Sequence, residues 1–80
     1  MDKKNAPEHQ LAAVDRAVGE NIRRRRRALK LTQMQVGALV DVTPQQIHKY
    51  EGGRNRISAA RLWLLSLVLE MPVGDFFGGA

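Results

Sequence analysis

The sequence predicts an all-α fold, and three observations predict it. Apolar residues recur at intervals of three and four, the period of an amphipathic helix. Thr32, Thr43 and Ser58 each precede such a segment and suit a helix N-cap. No segment alternates apolar and polar residues as a half-buried strand would. We therefore expect one all-α domain of five helices.

The first helix is predicted from an apolar stripe at intervals of three, four, four and seven residues: Leu11, Val14, Val18, Ile22 and Leu29. Pro7 suits a first helical turn, and Asp15 is a candidate N-cap for the main part of this helix. Residues 1–13 are predicted to be a partly disordered N-terminal extension. The domain itself is predicted to span residues 14–80.

Two short helices follow. Thr32 is the predicted N-cap of the second, and Gln35 stands where a capping box needs it. Thr43 is the predicted N-cap of the third, with Pro44 at the first helical position. Gly52 and the glycine after it end the third helix.

The fourth helix is predicted to begin after Ser58 and to run to about Glu70. Pro72 stops it, because proline cannot continue a helix interior. The segment from Val73 to Phe77 is predicted to form a fifth, short helical turn. Residues 54–56 form a basic loop between the third and fourth helices.

The composition narrows the function. The net charge is +5, and residues 16–30 hold seven basic residues against one acidic residue, which suits a polyanionic partner. The chain has no cysteine, and His9 and His48 are too few for a zinc site. No nucleophile–base pair or phosphate-binding glycine loop is evident. We therefore expect no enzymatic activity, no metal, no cofactor and no small-molecule ligand.

The cellular location is inferred from the N-terminal segment and from the length of the longest apolar stretch. The N-terminal segment is charged and lacks the apolar run of a signal peptide. The apolar stretch Leu62–Leu69 is too short to cross a bilayer. We expect no membrane contact and place the protein in the cytoplasm.

The third helix separates two kinds of side chain. Ile47, Tyr50 and Glu51 share one side by helical geometry. The other side carries amides and a lysine, the groups that hydrogen-bond adenine and guanine edges in the major groove. The alternative is an ordinary polar surface. The residues predicted to read bases are Thr43, Pro44, Gln45, Gln46 and Lys49.

A second set of residues is predicted to bind DNA phosphates. The free N–H groups at the start of the second helix suit an anion, and the loop after the third helix is basic. The alternative for Thr32 is simple capping, and both roles are compatible. The set is Thr32, Gln33, His48, Arg54, Asn55 and Arg56.

The chain resembles a known family of regulators. Leu31-Thr32-Gln33, Val42-Thr43 and Tyr50-Glu51-Gly52-Gly53 resemble the helix-turn-helix of lambda-type repressors, Cro and Xre-like regulators. The resemblance runs from about Val18 to Met71. It implies a five-helix lambda-repressor-like DNA-binding domain that often reads two half-sites as a dimer. Two departures are Gly37, where the family usually has alanine, and Asp41, where it usually has glycine.

Arg26 is predicted to be structural. It points within about 40° of Ile22, the core direction of the first helix. An arginine on the core side needs a carboxylate partner, and Glu51 faces inward from the third helix. The family resemblance implies the same Arg–Glu link. Arg23, Arg24 and Arg27 are then expected to be solvated or to approach phosphates.

The fourth helix has a surplus apolar face. A second copy of the chain is the preferred cover, because a helix that is apolar all round is buried all round. The alternative is a cover within the chain by Leu11 and Val14, or by the C-terminal phenylalanines. The predicted dimer interface is Trp63, Leu64, Leu67, Val68, Met71, Phe76 and Phe77.

These patterns favour a sequence-specific regulator of double-stranded DNA, a repressor that reads an inverted-repeat operator as a homodimer. The alternative is an antitoxin or adaptor that uses the same fold for protein–protein interaction. An anionic-membrane binder is a third possibility, but the arginines of the first helix surround it instead of forming one face.

Overall fold

The computed structural model describes residues 7–80, and every regular element in that range is helical. Four α-helices run over Glu8–Ala28 (α1), Gln33–Val40 (α2), Pro44–Glu51 (α3) and Ala59–Val68 (α4). The predicted all-α class is confirmed. The predicted count of five helices is not: the fifth is the 3-10 helix Val73–Phe77, bounded by Pro72 and Gly78. Five residues between these breakers complete only a short, tight turn.

The start of α1 differs from the prediction. Pro7 precedes the first helical residue, with an extended backbone, and Asp15 lies inside the helix. Asp15 is therefore not an N-cap; its carboxylate accepts a hydrogen bond from Arg56 instead. Residues 8–13 belong to α1, while residues 1–6 of the predicted extension lie outside the described residues. The domain boundary after residue 13 stays a prediction.

The caps of α2, α3 and α4 form as predicted. Thr32 Oγ1 accepts from the Gln35 N–H, and the Thr32 N–H donates to Gln35 Oε1, which completes the capping box. Thr43 accepts from the Gln46 N–H at 3.1 Å, with Pro44 at the first helical position. Ser58 caps α4, which ends at Val68, two residues before the predicted limit. Each cap satisfies a donor that the helix itself leaves free.

The turn between α2 and α3 explains both departures from the family pattern. Asp41 adopts the left-handed conformation, with φ 59° and ψ 47°, which aspartate tolerates better than most residues. A Cβ added at Gly37 would lie 2.5 Å from the Val42 carbonyl oxygen. The Val42 N–H also donates to the Gly37 carbonyl at 2.9 Å. The backbones of α2 and the turn are therefore so close that only glycine fits at residue 37.

The core lies where α1, α2, α3, α4 and the 3-10 helix meet. α3 packs against α1 and α2, α4 packs against α2, and the 3-10 helix packs against α1 and α4. Two arginines close helix ends: Arg25 Nε donates to the Leu69 carbonyl and Arg61 Nη1 to the Val40 carbonyl. Cations suit these C-terminal ends because the carbonyls there are unpaired and the helix dipole is negative. The buried apolar residues are Val18, Ile22, Val36, Val40, Ile47, Tyr50, Leu65, Leu69 and Phe76.

Candidate nucleic-acid interface

The two sides of α3 differ sharply in exposure. Ile47 is fully buried, and Tyr50 and Glu51 are each only 7% exposed. Gln45, His48 and Lys49 are exposed on the opposite side. The helical period of 3.6 residues produces this separation over only eight residues. α3 therefore presents polar side chains outward from a helix whose other side is fixed in the core.

Residues from both predicted DNA-contact sets lie together. They line one open depression of about 370 Å³ between the start of α2, the outer side of α3 and the loop that follows α3. Thr43 and Gln46 are not among them; the Thr43 hydroxyl is engaged in capping, and Gln46 is half-buried. The lining residues are Gln33, Pro44, Gln45, His48, Lys49 and Arg54.

Glu51, on the inner side of α3, accepts hydrogen bonds from two other elements. Arg26 donates to both of its carboxylate oxygens, from Nε at 2.6 Å and from Nη2 at 3.0 Å. Arg26 Nη1 also donates to the Leu31 carbonyl at 2.9 Å. Gln33 Nε2 donates to Glu51 Oε1 at 3.1 Å, an orientation that the carboxylate requires because it can only accept. The pair thus joins α1, the start of α2 and the end of α3.

The pair is largely shielded from water. The exposed fraction of the Arg26 side chain is 11% and that of Glu51 is 4%. Within residues 7–80, every buried side-chain nitrogen or oxygen has a hydrogen-bond partner. Gln33 was predicted to bind phosphate, and one of its two amide N–H groups is held by Glu51. Among residues 7–80 the other has no partner and can donate to an outward one.

A basic crevice lies beside the α2 N-terminus. It has a volume of about 560 Å³ and is lined by predicted phosphate ligands (Thr32, Gln33 and His48) together with further cations. Those further cations are Arg23, Arg27 and Lys30, besides the paired Arg26. Lys30 was not predicted as a site residue. Lys30 lies just beyond the end of α1 with φ 59°, and the signal that could have found it is its position between the arginine run and the predicted start of the second helix.

The basic residues of the loop after α3 line two different surfaces. Arg54 lines the depression beside α3, whereas Asn55 and Arg56 line a separate groove against α1. Arg56 Nε donates to Asp15 Oδ2 at 3.1 Å, and its Nη2 lies 3.6 Å from Glu8 Oε2. The hydrogen bond to Asp15 and the charge of that carboxylate raise the pKa of Arg56 above its ordinary value. The three loop residues predicted to bind phosphate are therefore not brought together.

The surplus apolar face of α4 is partly open. Trp63 and Leu67 are each 57% exposed, whereas Leu64, Val68 and Met71 are partly buried against the core. Neither Leu11 and Val14 nor the C-terminal 3-10 helix covers the two exposed side chains. Trp63 and Leu67 thus remain available to a further surface.

Phe76 does not belong to that face. It is fully buried in the protomer core, so its assignment to a dimer interface was wrong. The cause is Asn21, a buried residue of α1, whose Nδ2 donates to the Phe76 carbonyl at 2.8 Å and to the Gly78 carbonyl at 2.9 Å. These bonds draw the 3-10 helix onto α1. Phe77 remains 42% exposed.

Among residues 7–80, no group of three or more histidine, cysteine, aspartate or glutamate residues is arranged to hold a metal ion. In the same range, no helix is long and apolar enough to cross a membrane.

The sequence is similar to known transcriptional regulators. Residues 22–76 match the family model described as helix-turn-helix. An uncharacterized transcriptional regulator in the ATPase CF(0) region of Rhodospirillum rubrum is 48% identical over 64 residues, which cover 80% of this chain and 59% of the relative. An uncharacterized helix-turn-helix-type transcriptional regulator of Sinorhizobium medicae is 45% identical over 67 residues, which cover 84% and 48%. The chain spans about half the length of these relatives.

Solved structures share the fold. The restriction-modification controller protein of Aeromonas hydrophila is 21% identical, with a TM-score of 0.73, and the match covers 78% of this chain and 94% of that one. The clp gene regulator of Corynebacterium glutamicum is 24% identical, with a TM-score of 0.76 and coverage of 79% and 67%. Hydroxypropylphosphonic acid epoxidase of S. wedmorenis is 20% identical, with a TM-score of 0.80, but only 37% of that enzyme is covered against 86% of this chain. At these identities the likeness shows the fold alone.

Proposed function

The chain belongs to the helix-turn-helix family of lambda-repressor-like and Xre-like transcriptional regulators, and from that premise we propose that it binds double-stranded DNA sequence-specifically through α3. One observation carries the proposal. The outer side of α3 presents Gln45, His48 and Lys49 to solvent, while its inner side is locked in the core. A helix of this kind can enter a major groove with its reading side chains free.

Base reading is assigned to the residues that the sequence singled out. Gln45 can make a bidentate pair with adenine N6 and N7, and Lys49 can donate to guanine O6 and N7. Pro44 and the Thr43 methyl group can contact a thymine methyl group. Gln46 completes the proposed set, although it is half-buried.

Phosphate binding is assigned to the surfaces on either side of α3. The free N–H groups at the start of α2, the Thr32 hydroxyl, Gln33 and His48 border the basic crevice. Arg54 stands on the far side of the reading helix. Such contacts fix the register of the protein on the duplex and contribute salt-dependent affinity. Arg23 and Arg27 extend this basic surface along α1, and Lys30 extends it in the turn after α1.

We propose a homodimer as the active species. The exposed Trp63 and Leu67 are expected to meet the same face of a second copy, together with Leu64, Val68, Met71 and Phe77. Two copies of α3 would then lie about one helical turn of DNA apart, roughly 34 Å. The operator is expected to be an inverted repeat with half-sites centred about 10 base pairs apart.

Repression is the proposed mode of regulation, in keeping with the lambda-type repressors that the chain resembles. The cytoplasm is the proposed location, because the DNA of the bacteria that contain the relatives lies there. An antitoxin or adaptor remains the second candidate. The exposed Trp63 and Leu67 would equally suit a different protein.

Selection of bound duplexes from a random pool tests the proposed DNA binding. We expect enrichment of one inverted repeat, bound at least about a thousandfold more tightly than scrambled DNA of the same length. If the recovered duplexes share no sequence and all bind with equal affinity, the protein is a general polyanion binder. No retention of DNA would favour the adaptor.

Sedimentation velocity of the free protein at micromolar concentration tests the dimer. Leu67→Glu is expected to yield monomers, because the charge would enter the proposed apolar contact. Met34→Glu is the matched control, since Met34 is 67% exposed on α2 and lies outside that contact. A wild-type monomer, or a dimer that survives Leu67→Glu, would contradict the proposed interface.

A further inference from the structure

The first half of α1 makes contacts that the helix-turn-helix itself does not account for. The family match begins at residue 22, yet residues 8–21 are helical, and Gly19 in this part of α1 lies against the backbone at the end of α3. Asp15 and Glu8 both approach Arg56, which lies in the loop after the reading helix. Residues before the matched family segment therefore hold the segment that follows α3.

Two glycines show how close this contact is. Gly53, the second residue after α3, has φ +70°, and a Cβ there would lie 3.0 Å from the Arg16 Cα. A Cβ added at Gly19 would collide with the Tyr50 carbonyl oxygen and lie 2.6 Å from the Glu51 carbonyl oxygen. Backbone thus touches backbone from the last turn of α3 to the start of the loop. The Asp15–Arg56 pair continues this seam to the end of the loop.

Arg54 and Arg56 differ in whether a carboxylate lies close to the guanidinium group. Arg54 has no carboxylate within ion-pair distance among residues 7–80 and faces the same depression as the reading residues. Arg56 stands between Asp15 and Glu8. A phosphate that approached Arg56 would also approach these two carboxylates, and their repulsion would offset the attraction of the guanidinium.

We infer that Asp15 is a positioning residue for DNA binding: it holds Arg56 so that the loop presents Arg54 to the DNA backbone, and Arg56 is a tether instead of a phosphate ligand. This inference rests on the proposed function. It assigns a role to the first half of α1 and separates two arginines that the sequence placed in one class. The Arg56 side chain is 61% exposed, so the pair contributes little to folding and acts on loop geometry.

The test is a salt titration of DNA affinity on one fixed duplex. Arg54→Gln is expected to flatten the slope of log affinity against log salt by about 0.9, the loss of one phosphate contact. Arg56→Gln is expected to leave the slope unchanged while weakening binding by about two- to fivefold, the most that an exposed ion pair can supply. Asp15→Asn is expected to weaken binding equally, and the double variant no further.

Asp75→Asn is the matched control for the lost carboxylate, because Asp75 is exposed in the 3-10 helix and forms no ion pair among the described residues. If Asp15→Asn tightens binding and steepens the slope, Arg56 is a phosphate ligand that Asp15 restrains, and the inference fails. It also fails if Asp15→Asn has the same effect on affinity as Asp75→Asn. A wild-type protein with no salt-dependent DNA binding would instead overturn the proposed function.

A second readout needs no DNA. In the free wild-type protein, the Arg56 Nε–H nuclear magnetic resonance signal is expected to exchange slowly with water because it is hydrogen-bonded to Asp15. Asp15→Asn is expected to speed that exchange while the circular dichroism of the helices is kept. An unchanged Arg56 signal in Asp15→Asn would mean that no tether exists in solution.

Discussion

The two sides of α3 show how one short helix divides folding from recognition. The inner side buries Ile47 and a charged residue, Glu51, whose carboxylate is matched by Arg26 and Gln33. The outer side leaves the side chains of Gln45 and Lys49 without a hydrogen-bond partner within residues 7–80. The buried polar groups on the inner side therefore have hydrogen-bond partners within the protein. The exposed polar groups on the outer side keep their hydrogen-bonding capacity for a ligand. Changes to the inner side should alter stability, and changes to the outer side should alter affinity.

The largest expected effect comes from the inner side. Glu51→Ala should lower the free energy of unfolding by about 3–5 kcal/mol, because Arg26 would be left as a buried charge without its partner. Denaturant unfolding followed by circular dichroism measures the loss.

The matched control removes both charges. Arg26→Met combined with Glu51→Leu should recover much of the stability, since an apolar pair of similar volume can replace a buried ion pair. Small and additive losses in the single variants would show that the pair is effectively exposed to water in solution.

A smaller loss is expected where α1 meets the inner side. Gly19→Ala should cost about 1–3 kcal/mol of unfolding free energy, because the added methyl group meets the backbone of α3 and the helices must separate. Gly74→Ala is the control, since a Cβ there meets nothing within 4 Å. Equal thermal midpoints for the two variants would mean that the seam between α1 and α3 is looser than described.

The outer side should respond in affinity alone. Gln45→Ala and Lys49→Ala should each weaken binding to the selected duplex by about 1–3 kcal/mol, the value of one base contact. Their unfolding midpoints should stay close to that of the wild type, because both side chains are exposed. Gln10→Ala removes an exposed amide from α1 and so controls for a general loss of polar surface. Fluorescence anisotropy on labelled duplexes gives the affinities, and unchanged values for both α3 variants would contradict the assignment.

Local signals in the sequence were sufficient for the helix-turn-helix. The capping box at Thr32, the cap at Thr43 and the fit of Asp41 to the turn depend on residues within a few positions of one another. The Arg26–Glu51 contact was also predictable, because helical angles showed which side of each helix the two residues share. The contact follows once both inner sides are placed against one core.

What the sequence did not predict depends on long-range contacts. Asp15 has the residue type of an N-cap, and only the position of Arg56, 41 residues later, shows that it has another partner. Phe76 and Phe77 are adjacent and alike in the sequence, and the hydrogen bonds of Asn21 decide which of them is buried. In each case a polar contact between distant elements overrides what the local pattern favours.

The central claim is that individual side chains on the outer side of α3 read individual bases. Repeating the random-pool selection with wild type, Gln45→Ala and Lys49→Ala tests it most directly. We predict that each variant keeps the inverted repeat but loses its preference at one base pair of each half-site, at a different position for the two variants. An identical selected sequence for all three proteins would contradict the claim and place base recognition elsewhere on the molecule.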